Sequence, residues 1–173
     1  DNIRYNKSLG GGILNDAGCY PINATRMLFE SEPKSVFCDL IIDKETQVDT
    51  KATLLMNFDG NKQSQSSVGY DLEYQSNYEL WASDGFLSLT RAYNIPPDMP
   101  ARLSIKNSNK NEEILIEPVN HFQLMIEAFG SEIIKSNYKK FNFEEDLLNQ
   151  AKVMEACRIS NDEKRYVEIK EIK

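Results

Sequence analysis

Histidine and tryptophan occur once each in these 173 residues, cysteine three times, and no apolar run approaches the roughly 20 residues that span a bilayer. A histidine-based metal site or a Ser-His-Asp triad would have to use His121 alone. That residue stands in Asn120-His121-Phe122-Gln123, at the start of an expected helix, where a structural histidine is the simpler reading. Cys19, Cys38 and Cys157 lie far apart, make no C-x-x-C pair and are odd in number, so no closed disulfide set is expected. Reduced thiols in the cytoplasm follow as the simple reading. Neither G-x-x-x-x-G-K-[ST] nor G-x-G-x-x-G is present. The triplet Gly10-Gly11-Gly12 resembles a phosphate loop only superficially, because no strand-like run precedes it. Positive charge is also short: 20 Lys+Arg face 27 Asp+Glu, a net charge of −7. Nucleic acid and anionic membranes demand clustered cations, so neither is expected as a partner. A starting Met is missing as well, and the first residue, Asp1, leads us to expect a processed chain or an excised part of a longer one.

What is present is globular in character. Hydrophobic residues make up 40% and charged residues 27%, and a chain this long buries about 70% of its unfolded surface without help from disulfides or metals. The length suits one domain, or two small ones. After a polar lead-in over 1–12, the spacing predicts a helix over roughly 16–29, with Asp16 able to serve as N-cap. Pro21 lacks a helical N–H, so either the first turn is distorted or the regular helix starts only there.

From Val36 the apolar period changes to two. Strands are expected over 36–42, 50–58, 63–72, 74–82, 86–90, 102–106 and 112–117, with a last one at 166–169. Asp59-Gly60-Asn61-Lys62, Ser83-Asp84-Gly85 and 107–111 read as turns between them. Phe122, Met125, Ile126, Phe129 and Ile133 recur at helical spacing, as do Leu147, Ala151, Met154 and Arg158. The pattern is α+β: an open, mostly antiparallel sheet with helices on one face. The other face must meet water or another subunit, and strands bearing Tyr, Val, Leu or Trp on both sides make a subunit contact plausible.

Polar residues that could carry chemistry concentrate around the first helix. Asp16 and Tyr20 are four apart, on one face if the turn is helical. Asn23 follows three later, with Asn15 and Arg26 close by, and glycines at 10, 11, 12 and 18 would allow a ligand or another backbone to approach. A Tyr hydroxyl beside a carboxylate can exchange a proton with a substrate oxygen. Its ordinary pKa is about 10, so work near neutrality calls for a neighbouring cation, and no Lys of this chain is obviously placed to supply one. The plainer alternative is that Asp16 caps a helix, the glycines make a tight turn and Tyr20 packs half-buried.

The run from Gly10 through Pro21, followed by Asn23 and Arg26, resembles the opening of the C-terminal domain of the Gfo/Idh/MocA oxidoreductases, with their Gly-Gly-Gly-x-Leu-x-Asp-x-Gly-x-[His/Tyr] pattern. Asn2-Ile3-Arg4 resembles the usual approach to it. Trp81 through Leu87 is similar to the family's Gly-Thr-x-Gly-x-Leu strand turn, with Ala82-Ser83 in place of Gly-Thr. Phe122–Phe129 and Asp146–Ala156 resemble its last two helices, so the likeness covers nearly the whole chain in order.

The resemblance implies a single substrate-binding and oligomerisation domain over 1–173, of the glyceraldehyde-3-phosphate-dehydrogenase-like C-terminal type. An N-terminal Rossmann domain, absent from this chain, would bind NAD or NADP and supply a Glu-Lys-Pro lysine. Tyr20 falls on the catalytic His/Tyr position and Asp16 on the motif Asp, so Tyr-type members acting on sugars and dihydrodiols fit better than His-type ones. Arg4, Gly12 and Asn23 are the candidates for substrate contact. The implied activity is hydride transfer to or from a sugar carbinol or carbonyl, in a cytoplasmic homodimer or tetramer formed through the sheet face. A non-catalytic, stand-alone binding or scaffold domain is the alternative, and a hydrolase built on His121 a remote third.

Overall fold

The structure, a computed structural model, describes residues 2–134 and 142–173. In chain order the elements are α1 (Cys19–Phe29), β1 (Ser35–Ile42), β2 (Asp49–Asn57), β3 (Gln63–Gly69), β4 (Asn77–Ala82), β5 (Gly85–Thr90), β6 (Ala101–Lys106), β7 (Asn111–Ile116), α2 (His121–Ile134), α3 (Phe143–Glu163) and β8 (Val167–Glu168). The fold is α+β, and its strands divide into two four-stranded antiparallel sheets, ordered β3-β2-β1-β8 and β4-β5-β6-β7. The chain correspondingly forms two compact units, Asp1–Leu72 with Phe143–Lys173, and Glu73–Asn142. The strand expected to run to Leu72 ends at Gly69, and the next begins at Asn77 rather than Tyr74. Asp71 between them takes the left-handed conformation, φ 55°, which no extended strand accommodates.

The first unit holds the core. Period-two burial puts Val36 and Cys38 of β1, and Ala52, Leu54 and Met56 of β2, on one face. They pack with Ile13, Leu14, Ile22, Phe58, Val153, Ala156, Cys157 and Val167 in one cluster. The three cysteines are free thiols. Because β8 is only two residues long, the N–H groups of Cys38 and Leu40 lie beyond its reach along the edge of β1. Side chains of α3 take them: Ser160 Oγ accepts from Cys38 at 2.9 Å and Asn161 Oδ1 from Leu40 at 2.9 Å. Arg26, only 5% exposed, ties α1 to α3. Its guanidinium donates to both Glu32 oxygens at 2.7 and 2.8 Å, to Asp146 at 2.8 Å and to Gln150 at 2.9 Å.

The second unit is a four-stranded meander followed by α2. Tyr78 and Tyr93 pack ring to ring at 6.2 Å, and Arg91 stacks on Tyr74 at 4.6 Å. Among its described residues no hydrophobic side chain is buried, and Trp81 is 91% exposed.

Candidate functional site

The lead-in forms two single 3-10 turns, Ile3–Tyr5 and Lys7–Leu9, started by the side chains of Asn2 and Asn6 accepting from Arg4 N and Ser8 N. Gly10, at φ 75°, ends the second. The glycine triplet then spends all its amides on this lead-in: Gly10 N–H donates to Lys7 O at 3.1 Å, Gly11 to Asn6 O at 2.9 Å and Gly12 to Arg4 O at 2.9 Å. A phosphate cradle needs such amides unpaired, so the triplet is a structural turn.

Next comes a π-helical turn, Leu14–Gly18, that runs directly into α1. The distortion expected of Pro21 is therefore present. Proline leaves the carbonyl one turn back without its α-helical donor, and the preceding turn is wound wide. The expected capping role of Asp16 is overturned. Asp16 sits inside the π turn, with its own N–H on Gly12 O at 3.0 Å. The carboxylate at the turn's start is instead that of Asp49, at the head of β2, whose Oδ2 accepts from Leu14 N at 2.6 Å. Gly12, buried at φ 121°, lies so close beneath it that a Cβ there would come within 2.1 Å of Asp49 Oδ1. Only glycine permits that approach.

Released from capping, the Asp16 carboxylate accepts from Arg4 Nε at 2.8 Å. That hydrogen bond raises the Arg4 pKa above its ordinary value, with a smaller effect from Tyr20. Arg4, Asp16 and Tyr20 thus share one neighbourhood. Tyr20, the second residue of α1, is 49% exposed, and Asn23 is exposed further along the same helix. Gly12 sits below, its N–H and its Cα both covered by protein atoms. Arg26 faces away, into the ion cluster that joins α1 to α3. Asn15 also serves the scaffold, donating to Gly10 O at 2.9 Å and accepting from Arg158 at 2.6 Å.

Tyr70, just past β3, escaped notice in the sequence. Its ring packs on Tyr5 at 5.1 Å, and its buried hydroxyl has no hydrogen-bond partner among the described residues. Burial, then the nearby Asp16 charge, push its pKa well up. No local signal could have found Tyr70 or Asp49: Asp49 reaches the site by the packing of β2 beneath the turn, and Tyr70 by its backbone bond to Thr50 of β2. A polar depression lined by Asn2, Tyr5, Asn6, Lys7, Ser8 and Thr46 shares no residue with this group. His121 begins α2 with its ring against Phe122, and no metal-holding cluster of His, Cys, Asp and Glu exists among the described residues. Nor is any helix among them long and apolar enough to cross a membrane.

Three comparisons bear on this geometry. A family model for the GFO/IDH/MocA C-terminal domain matches residues 1–88. Over 137 residues the chain is 31% identical to an uncharacterized oxidoreductase of Rhizobium meliloti, covering 76% of this chain and 41% of that protein. Over 157 residues it is 26% identical to the dTDP-3,4-didehydro-2,6-dideoxy-alpha-D-glucose 3-reductase of Actinomadura kijaniata, covering 91% and 47%. The crystal structure of KijD10, a 3-ketoreductase of that organism in complex with NADP and TDP-benzene, matches with a TM-score of 0.83 at 27% identity, over 92% of this chain and 49% of that one. The chain spans less than half the length of each of these proteins.

Proposed function

The chain belongs to the GFO/IDH/MocA family, and from that premise we propose that it is the substrate-side domain of an NAD(P)-dependent oxidoreductase acting on a sugar or sugar derivative. The enzyme would move a hydride to or from a carbinol or carbonyl carbon. The observation that carries this reading is a half-exposed tyrosine near the head of α1, four residues after an aspartate whose carboxylate is held by Arg4. The sugar assignment draws on the dTDP-sugar reductase among the relatives.

A nicotinamide dinucleotide, when bound, would supply the hydride or take it up. The glycine triplet offers its phosphates no cradle, because its amides are spent internally. The group would be held by the Rossmann domain that the family resemblance implies. The chain's own residues manage the proton. Tyr20 Oη donates to the developing alkoxide in reduction and accepts from the carbinol in oxidation. A phenol titrates near about 10, so it needs a cation to work near neutrality. Arg4 is spent on Asp16, which leaves the lysine of the implied Glu-Lys-Pro motif to fill that role. Asp16, held in place by Arg4, orients the substrate hydroxyl beside Tyr20. Arg4 and Asn23 remain candidates for substrate contact, and Gly12 contributes by admitting Asp49 beneath the turn.

Exposed apolar side chains on the second unit, Trp81, Leu115 and Ile116 among them, support self-association through the sheet face as a homodimer or tetramer. The free thiols fit a cytoplasmic setting. The test joins the chain to its native upstream segment and assays NAD(P)H turnover with dTDP-ketosugars, aldoses and ketoses. Tyr20→Phe should lower kcat by about 10²–10⁴-fold, the usual worth of a general acid/base. A phenylalanine enzyme within twofold of the parent would remove Tyr20 from the chemistry.

A further inference from the structure

Asp49 stands 35 residues from Leu14 and on a different element, yet its carboxylate does the work normally given to a helix-capping side chain. It accepts the first amide of the π turn at 2.6 Å and places negative charge at the positive end of the turn and of the helix that continues it. It is also pressed against Gly12, whose missing side chain makes the room. The residue that could have capped locally, Asp16, is thereby left to pair with Arg4 at 2.8 Å.

We propose that Asp49 is a positioning residue of the site: by capping the turn at Leu14 it releases Asp16 to Arg4 and sets the direction in which α1 presents Tyr20. The role in turnover rests on the function proposed above; the role in holding the Arg4–Asp16 pair does not. Asp49 touches none of the reacting atoms and acts through the backbone of the turn. Asp49 is fixed in turn by its place at the head of β2, where the next residue, Thr50, accepts from Tyr70 N–H at 2.9 Å.

The test uses the complete enzyme with Asp49→Asn, which keeps the shape and an acceptor oxygen, and Asp49→Ala, which removes both. Two measurements are made on protein shown to be folded by circular dichroism. Hydrogen exchange at the Leu14 amide and the NMR signal of Arg4 Nε–H report the clamp itself. In Asp49→Ala the Leu14 amide should exchange at least about tenfold faster, and the Arg4 signal should lose its bonded shift, with Asp49→Asn falling between. Steady-state kinetics report the consequence: kcat should fall by about 10²-fold in Asp49→Ala, the scale of a misplacement of about 1 Å, with KM within threefold and partial recovery in Asp49→Asn. Unchanged exchange and an unchanged Arg4 signal would overturn the clamp. Changed exchange with kcat within twofold of the parent would overturn positioning. A parent enzyme with no redox turnover at all would sink the functional reading, and the exchange and Arg4 signals would then decide the clamp alone.

Discussion

The two units of this chain use similar strands to opposite ends. In the first, alternate residues of β1 and β2 disappear completely beneath α1 and α3, and fifteen hydrophobic residues form its buried core. In the second, the described strands and α2 keep Ile114, Leu115, Phe122, Met125, Ile126 and Phe129 exposed. The candidate site sits wholly on the unit with the core. Arg4, Asp16, Tyr20, Asp49 and Tyr70 come from a lead-in, a helix head and the ends of two paired strands, and only a rigid base can hold such scattered side chains in register. The second unit leaves apolar side chains exposed instead of burying them, as the self-association proposed above would require.

Core truncation should expose that contrast most strongly. Leu54→Ala, at 1% exposure, is expected to cost about 3–5 kcal/mol through lost burial and the cavity left behind, read as a lowered urea midpoint. Next in size is Arg26→Ala. It strips Glu32, Asp146 and Gln150 of a shared partner and should cost about 2 kcal/mol, since the two carboxylates can still be hydrated.

Titration separates the units further. Arg165 and the Glu168 amide hold the Glu171 carboxyl down at about 2. In the unfolded chain it titrates near about 4.3, so its stabilisation is complete above that pH and drains away as the pH falls towards 2. Glu171→Gln should flatten the acid limb of a plot of unfolding midpoint against pH. In the second unit burial, then the charge of Tyr78, push Tyr93 up to about 12. Its contribution is intact below about 10 and is lost as the pH rises from there towards 12. Absorbance at 295 nm should show a late tyrosine component near pH 12 that is lost in Tyr93→Phe, while the still later titration of Tyr70 persists.

The smallest effect is the sharpest probe of the contrast. Ile126→Ser on the exposed surface of α2 should change stability by no more than about 0.5 kcal/mol in the separated chain. A cost well above that, in a protein whose mass in solution is that of a monomer, would mean that the face is buried within the chain and that the two units are not so different.

Much of the fold was legible because it depends on local pattern. Val36-Phe37-Cys38 alternates, and the β1 that results buries the first and third of these residues as the period requires. The hairpin turns at 59–62, 83–85 and 107–111 fall where Gly, Asn and Asp cluster. The helices were legible from their 3.6-residue period, and Pro21 announced a disturbed first turn. The division of the strands into two sheets was not legible. It hangs on whether β3 and β4 pair, and the left-handed Asp71 between them carries no strong local signal. The last strand was overestimated because Ile169–Glu171 closes into a 3-10 turn, held by Glu171 reaching back to the Glu168 amide.

For the site, the amino-acid order alone determined that Asp16 and Tyr20 would travel together, that glycines would crowd the turn before them, and that a helix would begin near Pro21. These follow from spacing along one backbone. Which carboxylate caps that helix was decided only by the tertiary structure. At short range Asp16 is the better candidate by position, and nothing in its neighbours shows that Asp49 will arrive from another strand. Once it does, in the space that Gly12 leaves open, the capping role passes to the distant residue and the local one turns to Arg4. A hydrogen bond between residues 35 apart depends on the packing of β2 beneath the turn, and no pattern within either segment encodes it.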